Sequence, residues 1–366
     1  MPYCNKKIIS FLLTNRCNMA CKYCYGARKV DYQRLDLDFA KCGVDEYVAT
    51  GIVNGIRFFG NGEPSTEPQL IKDICEYSRS YRKNINCEIQ TNGFFSPKLA
   101  EWLAYNMDEI WVSMDLLPET HDMFRVTKNG KPTSGIIERN LKYFNGLGDK
   151  RAMVGVRSTI TPYNIDRMKE GIAYLNDLGI KYIWVDPIFE PVDEAEDKTF
   201  VPINNMHFAR RFIEAREYAH TLGVFYESNF TTNFDGPTCY NCRSCLPMPH
   251  LTMDGYVSAC EMCMSGKNAG KMDAFIYGKY DKEHNKIIYD KKKIEVLQSR
   301  TLQNLPDCQT CIAKEHCAGF CLGETLNEKG DLFKIKDVVC EPLRYIYAKI
   351  GKDYKQYGGE FKYKHP

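Results

Sequence analysis

The sequence predicts an α/β protein: a partial (β/α)6 barrel followed by a small cysteine-rich domain. Three observations predict it. From about residue 7 to 228, short β-rich runs alternate with helically spaced segments. Turn residues punctuate the ends of those runs. Near Asn233 the alternation stops and cysteines accumulate. Strands separated by helices imply parallel pairing with right-handed crossovers. Six units are too few to close an eight-fold barrel, so an open one is expected, with its site at the C-terminal strand ends.

The β-rich runs span 8–13, 55–59, 85–90, 109–114, 153–160 and 182–185. Helical spacing of apolar residues marks 70–81, 97–105, 136–144, 165–178 and 206–222. The runs end in Gly60-Asn61-Gly62, Thr91-Asn92-Gly93 and Thr161-Pro162-Tyr163-Asn164, all turn formers. Barrel residues are therefore 7–232 and the cysteine-rich domain 233–345. Within the latter, Asp254-Gly255 suits a tight hairpin. The tail, 346–366, opens helix-like and ends in a polar Tyr/Lys/Gly-rich stretch expected to be mobile.

A chain of 366 residues supports one large or two modest cores. A net charge of +2 makes no electrostatic case for nucleic acid or membrane partners. No apolar run approaches the ~20 residues of a membrane-spanning helix, and no signal peptide is evident, so a cytoplasmic location is expected. Seventeen cysteines are many and odd in number, and a reducing compartment disfavours disulfides. Metal is the better use for them. The seven histidines form no H-x-E or H-E-x-x-H arrangement.

Cys17, Cys21 and Cys24 stand as C-x3-C-x2-C in the loop after the first strand. Read by itself, the triplet also suits part of a zinc site, but zinc sites usually bring paired C-x2-C or histidine partners. A [4Fe–4S] cube held by three thiolates keeps one iron open for an exchangeable ligand. With Tyr23 before the last thiol, the triplet resembles the signature of radical S-adenosylmethionine (radical SAM) enzymes, and the resemblance extends over roughly residues 8–345. It implies that the open iron binds the methionyl part of SAM and that a 5′-deoxyadenosyl radical abstracts hydrogen from substrate.

Further motifs carry the resemblance. Gly60-Asn61-Gly62-Glu63-Pro64 is similar to the family's Gly-Gly-Glu-Pro motif, with Asn61 replacing a glycine; Asn tolerates the left-handed turn conformation better than most residues. The resemblance implies that this backbone and Glu63 receive the SAM ammonium group and that Tyr23 leans toward adenine. It makes Gln90, Ser113, Asp115, Arg125, Ser158 and Val185, at or beyond strand ends, further candidates for the SAM pocket. Arg125 is of the type best suited to a carboxylate.

Downstream, Cys245-x9-Gly255-x4-Cys260 and then Cys308-x2-Cys311-x5-Cys317-x3-Cys321-x18-Cys340 resemble the SPASM domain, which binds two auxiliary [4Fe–4S] clusters. Cys308-x2-Cys311 alone is also a zinc half-site. The resemblance implies Cys239, Cys245, Cys260 and Cys321 for one cluster and Cys308, Cys311, Cys317 and Cys340 for the other, three clusters in all. Of the remaining thiols, Cys42, Cys75 and Cys87 read as small hydrophobes, and Cys242 and Cys263 flank the first auxiliary set. Glu261 occupies the position of a proposed proton-accepting Asp in sulfatase-maturing members.

The expectation is an oxidoreductase acting on a peptide or protein side chain, supplied with electrons by a donor such as flavodoxin or ferredoxin. Thioether or carbon–carbon cross-linking of a ribosomal peptide ranks above formylglycine formation in a sulfatase, because Asn61 and Glu261 both depart from the sulfatase-maturing pattern. The first strand starts near the N-terminus, a layout shared with the sulfatase-maturing members. A small-molecule alcohol dehydrogenase is a third reading and a non-catalytic iron–sulfur electron carrier a fourth.

Overall fold

The computed structural model describes residues 7–24, 32–189 and 202–352, together with Tyr354. Cys4, the N-terminal six residues and most of the expected tail lie outside the described residues.

Strand β1 (Ile8–Leu12) leads through the cysteine loop to helix α1 (Leu37–Val44), and one π turn extends that helix. There follow β2 (Gly55–Phe59), α2 (Pro68–Tyr81), β3 (Asn86–Thr91), α3 (Pro97–Asn106), β4 (Glu109–Ser113), α4 (Pro118–Phe124), α5 (Ser134–Gly146), β5 (Met153–Ile160), α6 (Met168–Asp177), β6 (Tyr182–Pro187), α7 (Asn205–Thr221) and β7 (Phe225–Glu227). Capping explains several starts. Ser96 caps α3 with Pro97 in its first turn, and Asn204 caps α7.

All neighbours from β1 to β7 pair in parallel, in sequence order. The three-residue β7 is a seventh parallel strand beyond the six expected. The sheet also continues past β1. Strand β8 (His250–Leu251) pairs parallel to β1, and β9 (Tyr256–Ser258), β10 (Ile276–Asp281) and β11 (Lys286–Tyr289) follow antiparallel. The β8–β9 hairpin turns at Asp254-Gly255, where Gly255 has φ +85. The C-terminal part is completed by α8 (Lys291–Ser299), α9 (Lys314–Cys317), α10 (Leu322–Lys329) and α11 (Cys340–Ile346).

Strand residues alternate between two environments. Ile56, Phe58, Ile89, Ile110, Val112, Val156, Ile183 and Val185 pack in the apolar core, as do Cys42, Cys75 and Cys87. The intervening residues Gln90, Trp111, Ser113, Arg157, Thr159, Trp184 and Asp186 line the barrel lumen. The lumen also carries charge: Arg57 on β2 and Glu88 on β3 pair at 2.8 Å, each 2% exposed. An incompletely filled lumen leaves room for ligands at the strand ends.

Candidate active site

The cysteine loop is held by backbone pairing on both sides. Ala20 and Lys22 donate to Val126 O and Phe124 O at 2.8 and 2.9 Å. From the other side, Gly62 N donates to Thr14 O at 3.0 Å and Glu63 N to Arg16 O at 2.7 Å. The approach is so close that a Cβ on Gly62 would stand 2.2 Å from Arg16 O and 2.6 Å from Thr14 O. Gly62→Ala is therefore expected to cost about 1–3 kcal/mol through overpacking and to displace the loop. Chemical denaturation, together with iron bound per chain, checks this.

Cys17, Cys21 and Cys24 border a cavity of about 340 Å³, within the usual range for small-ligand sites. Burial pushes the Cys17 thiol up to about 11 and the Cys21 thiol to about 12. Both are thus protonated until a metal displaces the proton. Met19 N and Asn92 Nδ2 lie 3.4 and 3.8 Å from Cys17 Sγ as donors. An all-thiol donor set facing a cavity fits an iron–sulfur cluster with one free corner. Among the described residues, no three His, Cys, Asp or Glu side chains converge as the ligands of a single ion would.

Beside the thiols, Glu63 is fully enclosed. Its carboxylate accepts from Ser65 N (2.9 Å), Thr91 Oγ1 (2.6 Å) and Asn92 N (2.7 Å). Burial raises its pKa, against the lowering by those donors. Glu63 thereby ties the β2 turn to the end of β3 while bordering the cavity. Gly60, Asn61, Gly62 and Gln90 line the same wall. Among the described residues, Asn61 Oδ1 is buried with no hydrogen-bond partner, which fits an acceptor for a donor such as an ammonium group.

Near Cys21, the Tyr23 hydroxyl donates to Asp115 Oδ2, which also accepts from Arg125 Nε at 3.1 Å. Thr159 N donates to Asp115 Oδ1 at 3.0 Å. Tyr23, Ser113, Arg125 and Ser158 line the cavity, whereas Asp115 stands behind them, 1% exposed. Asp115 is thus a positioning residue that orders Tyr23 and Arg125. Ser158 Oγ is spent on Met114 O at 2.6 Å. Val185 lies on the opposite face: β6 alternation turns it into the helix-side core, and Asp186 and Trp184 face the lumen instead.

Trp111, Trp184, Arg157 and Asp186 are lining residues that motif reading missed. The signal was available as strand parity, since Ile183 and Val185 mark the opposite face. Asp186 accepts from Trp184 Nε1 (2.8 Å) and Asn229 N (2.8 Å), with Arg157 Nη2 at 3.5 Å. Burial nevertheless raises its pKa to about 6.

The far wall comes from the C-terminal part. Cys242, Cys260, Glu261, Cys321 and Gly323 border the same cavity. A Cβ on Gly323, near the start of α10, would stand 3.2 Å from Cys260 Sγ, so α10 packs directly on that thiol. The structure brings Cys242 close enough to Cys260 and Cys321 for their thiols to interact. Cys239 packs instead beside Leu302, Leu305 and Cys308, and Cys245 lies in the apolar core. Cys308, Cys311, Cys317 and Cys340 form a second mutually interacting set.

Glu261 Oε2 faces Arg57 Nη1 and Arg243 Nη2, both at 3.6 Å, and His250 Nε2 at 3.9 Å. His250 Nδ1 lies 3.2 Å from Ser258 O and Nε2 lies 3.0 Å from Arg243 Nη2. The carbonyl requires a donor at Nδ1 and the guanidinium an acceptor at Nε2, which defines a neutral imidazole. Burial, aided by Arg243 and Arg57, lowers the His250 pKa in agreement.

Comparison with known proteins matches residues 11–201 to the model described as "Radical SAM superfamily". An uncharacterized protein of Methanocaldococcus jannaschii, MJ0907, is 33% identical over 179 residues, covering 48% of this chain and 60% of that protein. The chain thus spans less than two thirds of that relative's length. A radical SAM cyclopropyl synthase, TigE, of Paramaledivibacter caminithermalis is 23% identical over 381 residues, covering 94% of this chain and 74% of that protein. Among solved structures, anSMEcpe with bound AdoMet and Cp18Cys peptide superposes with a TM-score of 0.74 at 15% identity, over 97% of this chain and all of that one. SuiB of Streptococcus suis bound to precursor peptide SuiA gives 0.66 at 16% identity, over 92% and 76%. No helix among the described residues is long and apolar enough to cross a membrane. The family match covers more than half of the chain, and the cysteine-rich C-terminal part fits the SPASM type: the chain belongs to the radical SAM superfamily.

Proposed function

We propose that this enzyme oxidatively modifies a peptide or protein side chain, by thioether or carbon–carbon cross-linking of a ribosomal peptide. The observation that carries the reading is one cavity lined both by Cys17, Cys21 and Cys24 and by Cys242, Cys260 and Cys321. A substrate side chain in that cavity has a radical source and an electron acceptor within the same enclosure. Likeness to anSMEcpe and SuiB, both solved with bound peptides, supports a peptide as occupant.

When bound, a [4Fe–4S] cluster on Cys17, Cys21 and Cys24 together with SAM supplies a hydrogen-abstracting 5′-deoxyadenosyl radical, and two auxiliary clusters supply an electron-accepting site. The protein's own residues do the rest. Asn61 Oδ1 and Glu63 receive the ammonium of SAM, Arg125 its carboxylate, and Tyr23 packs on its adenine. Trp111 and Trp184 exclude water from the lumen beside Arg157 and Asp186. Glu261 takes the proton that the substrate radical loses, so the product is two hydrogens poorer than the substrate.

For the auxiliary sites, Cys308, Cys311, Cys317 and Cys340 hold one cluster, and Cys245, Cys260 and Cys321 hold the other with a fourth thiolate from the Cys239/Cys242 pair. The side-chain placement favours Cys242, which lines the cavity beside Cys260 and Cys321. Cys242→Ser is then expected to release about four irons per chain, and Cys239→Ser to keep them. The reverse result assigns Cys239. The functional reading is tested by offering short cysteine-bearing peptides encoded beside the gene to the reduced enzyme with SAM. A cross-linked product two hydrogens lighter supports it. Conversion of a sulfatase peptide to formylglycine instead establishes the sulfatase-maturing alternative.

A further inference from the structure

Arg300, just beyond α8, is among the largest fully buried side chains of the protein. Both of its hydrogen bonds go to backbone carbonyls: Nε to Leu332 O at 2.6 Å and Nη1 to Ala318 O at 3.0 Å. Among the described residues, its remaining terminal nitrogen, Nη2, is buried with no hydrogen-bond partner. Burying a guanidinium donor without an acceptor is costly, so the site calls for a further negative group.

The surroundings identify that group. Nη2 lies where a Cβ on Gly319 would stand only 2.4 Å from it, and Gly319 is two residues from both Cys317 and Cys321. Those two cysteines belong to different auxiliary sets. The intervening segment is wound through three successive left-handed residues, Ala318 (φ 45), Gly319 (φ 85) and Phe320 (φ 61). Two of them are not glycine, a strain that persists only where surrounding structure enforces it. The Arg300–Ala318 hydrogen bond is part of that enforcement. Cys245, Cys308, Cys242 and Cys317, again drawn from both sets, are among the groups close enough to Arg300 to interact with it.

We infer that Arg300 is a shared electrostatic partner of the two auxiliary clusters, its free Nη2 donating to a cluster sulfur and its charge favouring the reduced, more negative state. The inference rests on the two-cluster reading above. It makes Arg300 a positioning and tuning residue, because it touches neither SAM nor substrate. Hydrogen bonds to sulfur and local charge are among the main determinants of iron–sulfur potentials.

The test compares reconstituted wild type with Arg300→Lys and Arg300→Gln by iron analysis, potentiometric titration of the auxiliary clusters, and pulsed EPR of protein labelled with 15N-guanidino arginine. In Arg300→Gln at least one auxiliary reduction equilibrium is expected to fall about tenfold, ~59 mV for a one-electron couple, with a smaller fall in Arg300→Lys. A 15N coupling on a reduced auxiliary cluster is expected in wild type and lost in Arg300→Lys. Where Arg300→Gln fails to retain its iron, the lysine variant and the wild-type coupling decide. Unchanged potentials and no Arg300-dependent coupling, with about twelve irons bound, overturn the inference and leave the two-cluster reading standing. About four irons in wild type overturn that reading itself.

Discussion

Replacing Cys21 by alanine is expected to lower 5′-deoxyadenosine formation by more than about 100-fold, since losing even an outer-shell partner costs a metal site about 10–100-fold. Cys21 stands in the cavity wall with Cys17 and Cys24, and two thiolates cannot hold a cube that three hold with one corner free. The loop is anchored by backbone pairing to Phe124 and Val126 and to Gly62 and Glu63, so the fold is expected to survive. The distinguishing readout is iron: the variant is expected to bind about four fewer atoms per chain and to keep its auxiliary EPR signals. Loss of every signal would mean that the three sites are not independent.

Asp115→Ala is expected to be the most damaging change away from the cysteines. The carboxylate is 1% exposed and joins Tyr23, Arg125 and the Thr159 amide. Removing one partner of a buried ion pair leaves the other charge uncompensated, at about 3–5 kcal/mol. Arg125 is itself mostly buried, with its side chain 12% exposed, so solvent cannot replace Asp115. The denaturation midpoint should fall accordingly, and the Kd for SAM should rise because Arg125 and Tyr23 lose their orientation. Asp115→Asn keeps a hydrogen-bond acceptor and should recover part of the loss. An alanine variant as stable as wild type would contradict the positioning role.

Much of this architecture was legible in the sequence because parallel strands and their helices carry strong periodic signals. Strands β2 and β5 fall on the predicted residues, and the other barrel strands shift by one or two at an end. Helices α1 and α4 escaped notice: they are eight and seven residues long, too short to establish a period. Strand β7, with three residues, is recognised as a strand only through its pairing with β6. The order of the cysteines was legible because spacing along the chain encodes it, whereas the placement of Cys242, rather than Cys239, near Cys260 and Cys321 was not. What spacing does not encode is convergence from distant segments. Arg57, Arg243 and His250 meet at Glu261 from β2, the loop before β8, and β8 itself. The same holds for Arg300, whose partners sit 18 and 32 residues away. The choice between Val185 and Asp186 was a matter of strand parity, which a motif alone does not carry.

The most direct test of the account is 5′-deoxyadenosine formation by the reconstituted, chemically reduced protein incubated with SAM. The account predicts steady release of 5′-deoxyadenosine that depends on reductant and is lost in Cys21→Ala. Protein carrying its full iron complement that binds SAM yet releases none, with or without a peptide substrate, would contradict it.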